Sequence, residues 1–134
     1  MNDTQKKLFD LAVKAQKNSH SPYSQARIGA AILMADGSVH AGCNVENASY
    51  GGTVCAERVA IFKAVSEGAQ KQISEVLVVS TADKPWPPCG FCRQVIAEFA
   101  TEKTLIHTAN NKGTIKTFTF PEIFPEAFTP KHLA

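Results

Sequence analysis

Cysteine stands at Cys55 in TVCAER and again at Cys89 and Cys92 in WPPCGFCRQ, with Glu57 two residues past the first. If one metal ion takes all three sulfurs, the chain must fold so that two distant segments meet at a point. Zinc held by three protein ligands keeps a fourth position open, the arrangement that activates water, whereas a closed four-ligand site only holds a fold together. Glu57 is then the group placed to move a proton, and the combination points to hydrolysis. Two other readings stay open. A CxxC pair also serves redox sites and half of many zinc knuckles, but a redox site needs no third cysteine, no glutamate and no Pro87-Pro88 before it. A structural zinc needs a fourth ligand. The spare Cys43, in SVHAGCNVEN, reads instead as a small buried hydrophobe at the end of a strand.

The pattern of apolar residues predicts a helix over 4–18 with Leu8, Leu11, Ala12 and Ala15 on one stripe, ended by the turn formers and proline of 18–24. Residues 28–34 and 38–43 flank Asp36-Gly37, a hairpin signal. A second helix is expected from near Val54, carrying Ala56, Val59, Ala60, Phe62 and Ala64 toward Gly68. A buried strand at 74–80, a third helix from Cys89, and strands at 104–108 and 114–120 follow. The order hairpin, helix, strand, helix, strand, strand predicts an α/β fold: a three-layer α/β/α sandwich on a mixed, roughly five-stranded sheet, with 1–134 as one domain. Both cysteine motifs then sit at helix starts, where backbone N–H groups and the helix dipole favour thiolates. Pro87 and Pro88 fix the approach to the third helix, and Gly90 is expected to permit close backbone packing. Three thiolates would overcompensate the charge of one zinc ion. Arg58 is the candidate to hydrogen-bond ligand sulfur and draw some of that charge off, while Arg93 reads as a surface or interface residue.

At 134 residues and 44% hydrophobic content the chain can bury one core and has no room for a second catalytic domain. Fourteen basic against 12 acidic residues leave a net charge of +2 with no basic block, which argues against a nucleic-acid partner. No apolar run reaches the length of a membrane span, and MNDTQKKLFD lacks the layout of a signal peptide, so a cytoplasmic protein with reduced cysteines is expected. His20, His40, His107 and His132 lack ligand spacing to the cysteines and are expected at the surface or the edge of the core.

Several segments, in order, carry a resemblance: PYS at 22–24, GAA at 29–31, GCNVENASYG at 42–51, CAER at 55–58, KAVSEG at 63–68, PCGFCRQVI at 88–96 and a late AF at 127–128. Together they resemble the small three-cysteine cytidine deaminases of free nucleosides, in which cysteine takes the place that related zinc deaminases fill with histidine. The resemblance implies one Zn²⁺ per subunit on Cys55, Cys89 and Cys92. It implies that Glu57 takes a proton from the attacking water and passes protons to ring N3 and the departing amino group, so that cytidine or 2'-deoxycytidine becomes uridine or 2'-deoxyuridine with release of ammonia, a pyrimidine-salvage reaction. It also implies that Asn44 and Glu46 grip the ribose 3'-hydroxyl and that the backbone N–H of Ala56 holds the base. The resemblance further implies a homotetramer with shared active sites, in which Phe128 reaches a neighbour's pyrimidine and Tyr50 sits at a subunit boundary.

One departure bears on substrate. Where the family commonly carries a phenylalanine that packs on the pyrimidine, PYSQARIGAA has Ala26. Losing that face removes about 1 kcal/mol of stacking and leaves space. Phe91, where a small residue is usual between the two cysteines, is a candidate to refill the space, and Arg27 is a candidate to turn inward toward a polar substrate. A modified cytosine nucleoside, a free base or a related amino-heterocycle is therefore the alternative substrate class.

Overall fold

The computed structural model describes residues 1–134. Helix α1 (Asp3–Gln16) starts where Asn2 and Gln5 cap one another's backbone N–H groups, and strands β1 (Ile28–Met34) and β2 (Val39–Cys43) form the expected hairpin. Its turn is set by Gly37, at φ +85°, and by the Asp36 carboxylate, which accepts the Ser38 N–H at 2.9 Å. Helix α2 (Ala56–Ser66), β3 (Ile73–Ser80), α3 (Gly90–Phe99), β4 (Leu105–Asn110), β5 (Ile115–Thr119) and a short α4 (Phe120–Ile123) complete the chain, with single 3₁₀ turns at Tyr50–Gly52 and Pro130–Leu133.

The five strands lie in the order β2-β1-β3-β4-β5. Only β3 and β4 run parallel, joined across one face by α3; every other pair is antiparallel. The strand period of two divides the core into layers. Leu8 and Ala12 of α1 pack on Ala31, Leu77, Val79 and Ala109, while Ala60, Ile61 and Ala64 of α2 and Ile96 of α3 pack on Ile32, Met34, Val76 and Ile106. Two glycines let the helices approach: a Cβ on Gly29 would stand 2.0 Å from the Ala12 carbonyl oxygen, and one on Gly42 would stand 2.8 Å from the Ala60 nitrogen.

One expectation about the core, that for His107, is corrected; on α2, Phe62 is half exposed and Ile61 is fully buried. Ala56, Ala60 and Ala64, four residues apart, define the sheet-facing stripe; Ile61 lies beside it and Phe62 turns away. His107 sits inside the core, fully buried on β4, with Nε2 2.7 Å from Glu75 Oε1 and Nδ1 2.8 Å from Thr117 Oγ1. Partners on both flanking strands satisfy the ring, which is why a polar side chain is tolerated at that depth.

Candidate active site

Helices α2 and α3 begin at the cysteine motifs. Cys55 is the N-cap of α2, Cys89 the N-cap of α3, and Cys92 lies one turn into α3. The two helix starts bring all three sulfurs within 4.8 Å of one another, with Cys55 and Cys89 Sγ 3.8 Å apart. A tetrahedron with Zn–S bonds of about 2.3 Å has S···S edges of about 3.8 Å, so the donor set fits a zinc ion without rearrangement of this pair. Cys43 stays at the end of β2, outside the cluster.

Charge at the sulfurs is managed by neighbours. The Cys92 N–H donates to Cys89 Sγ at 3.4 Å, and Arg58 Nη2 donates to Cys55 Sγ at 3.6 Å. A hydrogen bond from the Cys92 thiol, reinforced by Arg58, brings Cys55 down to about 5, whereas Cys92, the donor in that pair, is pushed up. Glu57, in the first turn of α2 and 4% exposed, is driven by burial up to about 7. A carboxyl group so held can both accept and release a proton near neutral pH.

The cluster opens into a cleft of about 400 Å³. It is lined by Cys55, Cys89 and Glu57, by the polar Asn44, Glu46, Ser24 and Thr53, and by the apolar Ala26, Ile28, Val78 and Trp86. Asn44 is buried, its Oδ1 accepting the Ile28 N–H at 3.0 Å and the Ser19 hydroxyl, and its Nδ2 donating to the Ala26 carbonyl at 2.8 Å. Glu46 Oε1 accepts the N–H groups of Tyr23 and Ser24 at 3.0 and 3.1 Å, and Oε2 accepts the Ser24 hydroxyl. The PYS segment is thereby fastened to the NVEN segment.

Other candidates lie elsewhere. Ala56 is fully buried as the first residue of α2. Phe91 is 68% exposed and does not refill the space beside Ala26, because at its place in the first turn of α3 the ring lies under the Arg58 guanidinium, 4.4 Å from centroid to Cζ. Arg27 does not turn inward: its Nη2 donates to the Lys17 carbonyl at 2.6 Å on the outer surface. Tyr50 is outside the cleft, its ring 5.7 Å from that of Tyr23 in an adjoining groove. Phe128 is also outside, half exposed and stacked on His132 at 5.2 Å. Gly90 has open space around its Cβ position, so close packing is not its role within the chain. Trp86 and Ser80 were not anticipated as cleft residues. A tryptophan immediately before Pro87-Pro88 was the available signal for the first; Ser80 becomes legible only once the inward face of β3 is known.

Residues 2–108 match the family described as the cytidine and deoxycytidylate deaminase zinc-binding region. A cytidine deaminase of Halalkalibacterium halodurans is 46% identical over 94% of this chain and 95% of its own. Among solved structures, the cytidine deaminase of Burkholderia pseudomallei superposes with a TM-score of 0.87 at 36% identity, covering 96% of this chain and 100% of that one. The cytidine deaminase of Mycobacterium tuberculosis gives 0.80 at 34%, covering 92% and 96%.

Proposed function

The chain belongs to the cytidine and deoxycytidylate deaminase family, and from that premise we propose that it hydrolyses the exocyclic C–N bond of cytidine and 2'-deoxycytidine, giving the uracil nucleoside and ammonia in pyrimidine salvage. One observation carries the reading: three sulfurs spaced for one zinc ion and a buried carboxyl group border the same cleft. Cys55, Cys89 and Cys92 hold one Zn²⁺ per subunit, and zinc bound there supplies the Lewis acidity that makes water a nucleophile near neutral pH. Glu57 accepts a proton from the attacking water and delivers it to ring N3. Glu57 then takes the second proton from the hydroxyl now on C4 and delivers it to the amino group as the C4–N bond breaks, so the C4 carbonyl forms, ammonia leaves and the carboxyl group ends as it began. The Ala56 N–H, one of the unpaired donors at the start of α2, holds the base carbonyl. Residues 1–134 act as one catalytic unit.

Hydrogen-bond capacity supports Asn44 and Glu46 as the ribose grip. Of the two Asn44 Nδ2 protons, one is spent on Ala26. Of about four acceptor positions on a carboxylate, Glu46 uses three. One donor and one acceptor remain, which is what a single hydroxyl requires, and neither demands a 2'-hydroxyl. Phe128, half exposed outside its own cleft, supports the reading in which a homotetramer supplies it to a neighbour's site. Ala26 favours a second reading on the same chemistry. Its methyl group lines the cleft, and neither Phe91 nor Arg27 fills the adjoining space, leaving room for a modified cytosine or a related amino-heterocycle.

Ammonia release from cytidine, 2'-deoxycytidine, cytosine and 5-substituted analogues, each followed with the zinc-loaded protein and with Glu57→Gln, tests this. The expected outcome is turnover of both nucleosides, reduced by at least about a hundredfold in the variant. Turnover of only a modified analogue would transfer the assignment to the second reading, and release undiminished in Glu57→Gln would overturn the role of Glu57.

A further inference from the structure

Arg58 reaches Cys55 Sγ from α2, yet it makes no salt bridge, and its Nε is buried without a hydrogen-bond partner. Its polar ties run to the sulfurs of Cys55 and Cys92 at the tip of a long side chain, which leaves the plane of the guanidinium without a fixed support. What it does have is an aromatic face: Cζ lies 4.4 Å from the centroid of the Phe91 ring, within cation–π range. Phe91 occupies the residue between Gly90 and Cys92 in α3, while Arg58 stands three residues after Cys55 in α2. The pair thus spans the two helix starts alongside the sulfur cluster. Phe91 itself is mostly exposed, so core packing does not account for its placement.

We propose that Phe91 is a positioning residue for the metal centre, its ring holding the Arg58 guanidinium against Cys55 so that the hydrogen bond to that sulfur persists through turnover. The inference rests on the deaminase reading for its kinetic consequence but not for its spectroscopic one. The ring gives the guanidinium a surface to lie on, and the exposed location of Phe91 means it can be replaced without opening the core. A hydrogen bond to a ligand thiolate withdraws electron density from sulfur, so its loss returns that density to the metal.

Phe91→Leu keeps apolar bulk and removes the π face; Phe91→Tyr keeps the face. With cobalt(II) in place of zinc, the sulfur-to-metal charge-transfer band is expected to move to lower energy in Phe91→Leu and in Arg58→Lys, to stay in place in Phe91→Tyr, and to move no further in the Leu/Lys double variant. With zinc, kcat is expected to fall about two- to fivefold in Phe91→Leu, the size of an exposed cation–π contact, with KM unchanged. A Phe91→Leu protein that keeps the wild-type band and kcat would overturn the proposal. If the wild-type protein released no ammonia, the deaminase reading would fall, while the band positions would still decide whether Phe91 acts on the metal centre.

Discussion

Burial raises Glu57 to about 7, whereas a hydrogen bond from the Ser24 hydroxyl, with two backbone N–H groups, lowers Glu46. The same functional group is thus given two characters by its immediate partners: one carboxyl held where it can take up or release a proton near neutral pH, and one that stays anionic and holds a loop. Asp36 extends the second case to the hairpin turn, where the Ser38 hydroxyl first, and then the N–H groups of Gln70 and Ser38, hold it down to about 2. Because the folded value lies below the ordinary 3.8, the folded state gains stability from ionised Asp36 above about pH 4 and loses it as pH falls toward 2. Asp36→Asn is therefore expected to be less stable than wild type at neutral pH, with the gap narrowing through that window. Urea unfolding of both proteins at pH 6, 4 and 2.5 checks this, and a gap independent of pH would contradict it. At this scale the metal cluster and Glu57 were legible because their residue types and spacing are rare outside such chemistry. Phe91 and Arg27, two of the candidates for the pocket, lie outside the cleft, since the direction of a side chain on a helix turn or before a strand depends on the neighbours that receive it.

Helix α2 shows how an element combines two duties. Its N-cap and first turn carry Cys55 and Glu57 to the cleft, while Ala60, Ile61 and Ala64 seat it on the sheet, with Gly42 allowing close approach. The alternation of the strands and the Asp36-Gly37 turn made the sheet legible in the sequence, because those signals are local. The choice between Ile61 and Phe62 was not, because adjacent apolar residues in a helix fit two overlapping stripes and only the position of the sheet decides between them. His107 was missed for a related reason: its partners Glu75 and Thr117 lie on two other strands. Ile61→Ala is expected to cost about 2–5 kcal/mol through an internal cavity. Phe62→Ala is expected to cost about 0.5 kcal/mol or less in the isolated chain. Urea midpoints of the two variants distinguish these stripes, and a larger loss in Phe62→Ala would reverse the assignment.

At the scale of the whole molecule, the sheet separates labour between its faces. On one, α1 covers Leu77, Val79 and Ala109; on the other, α2 and α3 converge so that two helix starts make one cluster of sulfurs. No helix is long and apolar enough to cross a membrane. Tyr50, Phe91 and Phe128 stand exposed outside the cleft. What the single chain does bring together is a cluster of three cysteine sulfurs spaced for one metal ion and a buried carboxyl group. The most direct test of that account is to strip the protein of metal, add zinc back in fractions of an equivalent, and follow ammonia release from cytidine in parallel with bound zinc. Activity rising linearly to a maximum at one zinc per chain, and no retained zinc in Cys92→Ala, is the expected result; deamination by the metal-free protein, or full zinc binding without Cys92, would contradict it.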